Sequence, residues 1–146
     1  MNIQYKFLTE LTDDEKKIRY EVFVNEQGFD ASADIDGTDA ECDHIIIYVD
    51  DVPAACCRYF RYGGDSVYII GRVAVIEDFR GIGLGEMLMD AAEDVIRSRG
   101  AEKIIVHAQL RVKGFYKKCR YKEIGEPFLE EGVKHITMEK RLTNID

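Results

Sequence analysis

The stretch at 71–90, GRVAVIEDFRGIGLGEMLMD, joins a branched apolar run to an Arg-Gly pair, two further glycines and the start of a helical pattern. Glycine gives up much conformational entropy in an ordered element, so Gly81, Gly83 and Gly85 at the mouth of a helix need a reason. The first amides of a helix have no partners within it, and the helix dipole is positive at that end. Glycines let an anion, a phosphate above all, come close to those amides. Two phosphate loops are excluded: the P-loop needs a Gly-Lys-Ser/Thr ending that is missing, and the dinucleotide fingerprint needs glycine where Glu86 stands. What remains is Arg80-x-x-Gly83-x-Gly85 between a strand and a helix.

Metal chemistry finds little support. Cys42 and His44 could form half of a zinc site, but no second pair stands at finger-like spacing. Asp34, Asp36 and Gly37 begin like a calcium loop whose remaining ligand positions are wrong. The four cysteines, Cys42, Cys56, Cys57 and Cys119, lack a disulfide framework, and adjacent Cys56 and Cys57 would face opposite sides of a strand, so reduced thiols in a cytoplasmic protein are expected.

Acidic residues exceed basic ones by 28 to 20, for a net charge of -8, which argues against a general nucleic-acid binder. The charges are also segregated. Residues 20–57 contain ten acids and no Lys or Arg, whereas 109–122 contain Arg111, Lys113, Lys117, Lys118, Arg120 and Lys122 and no acid. Each block alone reads as a solvated face; together they suggest one region suited to a cation and another to an anion.

At 146 residues without repeats, linkers or low-complexity tracts, the chain is expected to form one domain over 1–146. No apolar run approaches the roughly 20 residues that span a bilayer, and a secretory leader is not supported. The elements that must carry the glycine junction are legible. A strand is expected at Ile3–Leu8, then a helix opened by a Thr12/Glu15 capping box and ending near Val24 or Asn25. Residues 28–43 read as a long polar loop. His44–Val49 and Ala54–Tyr62 form a hairpin followed by a third run, Val67–Val75. Leu84, Met87, Leu88, Ala91, Ala92, Val95 and Ile96 mark an amphipathic helix stopped by Gly100. A strand at Lys103–Gln109, a short helix at Arg111–Lys118 and strands at Tyr121–Ile124 and His135–Lys140, around the turn-rich GEPFLEEG, complete a mixed α/β fold.

The pattern Arg80-x-x-Gly83-x-Gly85, preceded by RVAV and followed by GFYKKCRYKEIG, resembles the GNAT superfamily of N-acyltransferases. EVFVNEQ, DIDGTD with His44, HAQ and EEGVKHITM extend the resemblance, over nearly the whole chain, to an ElaA-like subgroup. The resemblance implies a mostly antiparallel sheet splayed at an acyl-CoA site. It also implies acetyl-CoA, or a close acyl relative, as donor to the amine of a small molecule or peptide, by direct attack in a ternary complex. Carried over by position, the amides of Gly81, Ile82, Gly83, Leu84, Gly85 and Glu86 after Arg80 would hold the pyrophosphate. The backbone at Val73, Ala74 and Val75 would meet the pantetheine and the thioester carbonyl, Gln109 would offer an amide, and Tyr116 would protonate the sulfur. The acid that many relatives keep on the strand before the glycines is replaced by Gly71 and Arg72. Glu26 is the first substitute as general base, with Glu21, His44 or water behind it. The missing acid also leaves open a catalytically weak acyl-CoA sensor or interaction module. The acid-rich block favours a cationic acceptor, and a homodimer is compatible with the sequence, which places no interface.

Overall fold

The computed structural model describes residues 1–64 and 66–142. In chain order it contains β1 (Ile3–Leu8), α1 (Asp13–Arg19), a π-helical turn (Tyr20–Glu26), α2 (Ala31–Asp34), a 3-10 turn (Gly37–Glu41), β2 (Asp43–Val49), β3 (Val52–Arg61) and β4 (Val67–Val75). A 3-10 turn (Glu77–Phe79), α3 (Leu84–Ser98), β5 (Lys103–Gln109), a 3-10 turn (Leu110–Val112), α4 (Lys113–Lys118), β6 (Lys122–Glu130) and β7 (Val133–Arg141) follow. The strands form one open, mixed seven-stranded sheet in the order β1-β2-β3-β4-β5-β7-β6. Helices accompany it, so the fold is the expected α/β class with a mostly antiparallel sheet.

Two compact units divide the chain, one of Met1–Phe60 with Arg72–Ala92, the other of Arg61–Gly71 with Glu93–Asp146. In the first, β1 pairs antiparallel with β2 from Ile3↔Val49 to Leu8↔His44. β2 pairs antiparallel with β3 through a turn in which Asp50 and Asp51 both have positive φ, 48° and 68°, as a tight hairpin requires. Ile18 and Val22 pack there with Ile46, Tyr48, Cys56 and Ala74. Ile18 and Val22 are four residues apart, so they share one side of the helix that carries them.

In the second unit, β4 and β5 run parallel, but their ladder covers three pairs, Val67↔Lys103, Tyr68↔Ile104 and Ile69↔Ile105. β4 as a whole runs to Val75 and β5 to Gln109. β5 then pairs antiparallel with β7, and β7 with β6. Glu93 is 4% exposed; it accepts a 2.7 Å hydrogen bond from the Tyr121 hydroxyl and a 2.8 Å bond from Lys140 Nζ. Burial and that neighbouring carboxylate push the Tyr121 hydroxyl well above the usual phenol range.

Three expectations need correction. Thr12 occupies the N-cap position, but its hydroxyl makes no capping bond, and Glu15 is fully buried and bound elsewhere instead of closing a capping box. Residues 28–43 are not a featureless loop: they hold α2 and a 3-10 turn, the latter closed by a capping box between Asp36 and Asp39. Most of GEPFLEEG lies in β6, leaving the turn at Glu131 and Gly132.

Candidate functional site

The glycine junction is built from the end of β4 through the start of α3. Gly81 and Gly83 take φ of 86° and 88°, a left-handed conformation that only glycine adopts without strain. Gly85 lies inside the first turn of α3 and has no such need. Leu84, 1% exposed, anchors the helix start in the core, while Ile82 is 43% exposed at the loop's tip. Met87 N donates to Gly83 O at 3.0 Å, which opens the helix ladder. Among the described residues, no protein acceptor receives the amides from Gly81 to Glu86. They are the unsatisfied donors that a helix start leaves behind.

Arg80 is held at two ends. Its Nε donates to Val75 O at 2.9 Å, and its Nη1 and Nη2 donate to the two carboxylate oxygens of Glu26 at 2.7 and 2.6 Å. This forked pair raises the Arg80 pKa, its hydrogen bonds to Glu26 being the main cause. Glu26, first choice as general base, is therefore engaged with the first residue of the proposed phosphate loop. The π-helical turn brings it there: Gln27 N donates to Val22 O at 3.1 Å, a five-residue step that widens the helix just before the chain leaves it.

The other substitutes for a base are also occupied. Glu21 accepts from Asn25 Nδ2 at 3.2 Å. His44 is fully buried, its Nδ1 lies 2.9 and 3.0 Å from the two Glu15 oxygens, and its Nε2 lies 3.2 Å from Asp39 O. Burial alone would lower its pKa, but the hydrogen bond and charge of Glu15 win and raise it.

Around His44 stands a network that sequence order conceals. Arg19, fully buried, donates to Asp39 Oδ1 at 2.8 Å, to Asp34 Oδ2 at 3.2 Å and to Glu15 Oε2 at 3.2 Å. Arg58 reaches Asp36 at 2.8 Å and Asp39 at 3.0 Å. Arg72, at φ 50° in β4, reaches Asp34 O at 3.0 Å and Asp36 Oδ2 at 3.3 Å. Burial would raise the Asp39 carboxyl, yet hydrogen bonds and charge from Arg19 and Arg58 bring it down to about 2. Thus Asp34, Asp36 and Asp39, counted in the cation-seeking block, are answered by three arginines from α1, β3 and β4. The physical ground for a cationic acceptor at this loop is correspondingly weaker.

In the second unit, Gln109 ends β5 and accepts from Arg111 Nε at 3.2 Å. Tyr116 on α4 is 9% exposed and meets Phe115 and Tyr121 edge-on, with ring centroids at 5.0 and 6.1 Å. Val73, Ala74 and Val75 end β4, with Ala74 buried and its neighbours half-buried. No cluster of His, Cys, Asp or Glu with metal-binding geometry occurs among the described residues, and no helix there is long and apolar enough to cross a membrane. The pairing of Arg58 and Arg72 with Asp36 leaves no local mark in the sequence, because these partners lie 22 and 36 residues apart.

The sequence model of the acetyltransferase (GNAT) domain matches residues 9–142. The uncharacterised N-acetyltransferase YjcF of Bacillus subtilis is 34% identical over 124 residues, 84% of this chain and 87% of that protein. Protein ElaA of Escherichia coli is 31% identical over 130 residues, 86% of this chain and 84% of its own. The ElaA crystal structure superposes with a TM-score of 0.83 at 28% identity, covering 95% of this chain and 99% of that one. A GNAT family acetyltransferase of Elizabethkingia anophelis, crystallised with acetyl-CoA bound, shares the fold with a TM-score of 0.73 at 16% identity, over 97% of this chain and 99% of that one.

Proposed function

The chain belongs to the GNAT acetyltransferase family, and from that premise we propose that it is a single-domain enzyme that moves the acetyl group of acetyl-CoA directly onto an amine in a ternary complex. The observation that carries this reading is the run of amides from Gly81 to Glu86, free of protein acceptors and opened by two left-handed glycines. They supply the donors and the positive helix end that a diphosphate needs. Arg80 adds a guanidinium at the loop's start.

The chemistry has four parts. The amine nitrogen attacks the thioester carbonyl, the C–S bond breaks, the nitrogen loses a proton and the departing sulfur gains one. Backbone at Val73, Ala74 and Val75 runs along the pantetheine and polarises the carbonyl, where fixed N–H donors stabilise the developing oxyanion. Gln109 offers its side-chain amide to the donor. Tyr116 supplies the proton to sulfur, a transfer that typically contributes about 10²–10⁴-fold.

Titration of isotope-labelled protein with acetyl-CoA tests the reading. The amide resonances of Gly81 and Gly83 shift on binding, and coenzyme A is released when a panel of amines is added. Tyr116→Phe slows that release by about 10²-fold or more while donor affinity stays within a fewfold. Unmoved glycine resonances sink the donor site, and binding without turnover across the panel leaves a sensor rather than an enzyme.

A further inference from the structure

His107 on β5, Phe128 and Glu130 on β6 and His135 on β7 belong to none of the roles above. His107 stands opposite Thr137 and Gln109 opposite His135, while Phe128 stands opposite His135 and Glu130 opposite Val133. Residues paired across antiparallel strands share a face, so His107, Phe128, Glu130 and His135 project from one side of the sheet. An irregularity in β6 makes this possible. Between Ile124, opposite Thr137, and Phe128, opposite His135, β6 carries more residues than β7, and the bulge sets Phe128 beside the histidine.

The ring geometry singles out one unfilled position. His135 is 5% exposed, and its Nδ1 lies 2.8 Å from Val133 O. A carbonyl only accepts, so Nδ1 carries the hydrogen, and Nε2 of the neutral ring presents a lone pair. That Nε2 is 3.9 Å from Glu130 Oε2, and His107 Nδ1 is 3.9 Å from Glu130 Oε1. Both separations exceed hydrogen-bond length. With the ring neutral, that lone pair faces a carboxylate, and a donor placed between the two satisfies both. A nitrogen at about 2.9 Å from each would subtend an angle of roughly 85°, within reach of two N–H bonds of one tetrahedral centre. A primary ammonium has three such donors and the charge that Glu130 lacks a partner for at bonding distance. Phe128 supplies a wall, its ring stacked on His135 at 5.8 Å and 28° and edge-on to His107 at 5.5 Å and 83°, as suits a cation beside an aromatic face.

We propose that Glu130, His135 and His107, walled by Phe128, form the subsite that receives the primary ammonium group of the acceptor, which passes one proton to the His135 Nε2 lone pair before the freed amine attacks the thioester. The proposal rests on the acetyltransferase reading and names where its second substrate is recognised. The strand that carries His107 ends at Gln109 and leads through a single 3-10 turn into the helix of Tyr116.

Butylamine and butyltrimethylammonium serve as probes, since both are cations and only the first has N–H donors. Imidazole nitrogen resonances of His107 and His135 are followed while each probe is titrated into the full chain. Butylamine shifts both rings saturably, butyltrimethylammonium at the same concentrations does not, and Glu130→Gln weakens butylamine about tenfold while calorimetry with acetyl-CoA is unchanged. In turnover, Glu130→Gln and Phe128→Leu raise KM for the amine and leave KM for acetyl-CoA alone. Equal shifts from the two probes, no shift from butylamine, or undiminished butylamine binding by Glu130→Gln overturns the subsite. If acetyl-CoA itself fails to bind, the acetyltransferase reading falls, whatever the amine does.

Discussion

Glu26 shows how one contact changes what a side chain is good for. A carboxylate clasped by both Nη atoms of Arg80 has each of its oxygens engaged by a guanidinium donor and is turned away from a substrate amine. It also occupies the guanidinium that a phosphate would seek. Replacing Glu26 by Gln is therefore expected to lower KM for acetyl-CoA severalfold, because Arg80 is unmasked while its Nε bond to Val75 O still orients it. The dependence of kcat on pH should not move. Loss of the acidic limb of that profile in Glu26→Gln would return Glu26 to the role of base. The forked pair was not legible in the sequence, since the two residues are 54 positions apart and nothing local links them.

At the scale of elements, the junction between β4 and α3 depends on the backbone conformation of two glycines. An added Cβ at Gly83 would meet nothing within 4 Å, so Gly83→Ala is a test of φ alone. Forcing an alanine to φ 88° costs on the order of 1–2 kcal/mol. The expected outcome is a lower urea midpoint together with weaker acetyl-CoA binding by calorimetry. An unchanged affinity would mean that the loop does not touch the donor. This junction was readable because its signals are local. β1, β4 and β5 lie where alternation and β-rich runs put them, and the apolar steps from Leu84 to Ile96 belong to α3. Residues 28–43 carry only polar-loop signals of their own, because their order comes from Arg19, Arg58 and Arg72, all outside the segment. The bulge in β6 left no local mark either; proline and glycine within GEPFLEEG pointed to a turn, whereas the pairing with β7 extends the strand through it.

For the whole molecule, the buried ionic network fixes how stability responds to pH. The Asp39 carboxyl falls from an unfolded value near 3.9 to about 2, so its contribution is complete above about pH 4 and is lost as pH falls towards 2. His44 behaves oppositely: its folded pKa is raised above about 6.5, so its contribution is complete below that value and disappears as pH rises through the folded pKa. The thermal midpoint is expected to peak between about pH 4 and 6.5 and to decline on both sides. In His44→Gln the alkaline decline should flatten while the acid one stays; an unaltered alkaline slope would show that His44 does not carry it. Removing Arg19 is the severe case, costing about 3–5 kcal/mol as Arg19→Ala, because Glu15, Asp34 and Asp39 would lose their shared partner.

The adjacent Cys56 and Cys57 on β3 are both fully buried, and burial pushes both thiols far up. Cys42 is buried as well, its thiol pushed up to about 12 by burial, whereas Cys119 is partly exposed. A thiol reagent added to the native chain should thus modify Cys119 promptly and the other three only when the structure opens. The slow phase then becomes a clock for that opening, and saturating acetyl-CoA, by holding the closed form, should make it run slower.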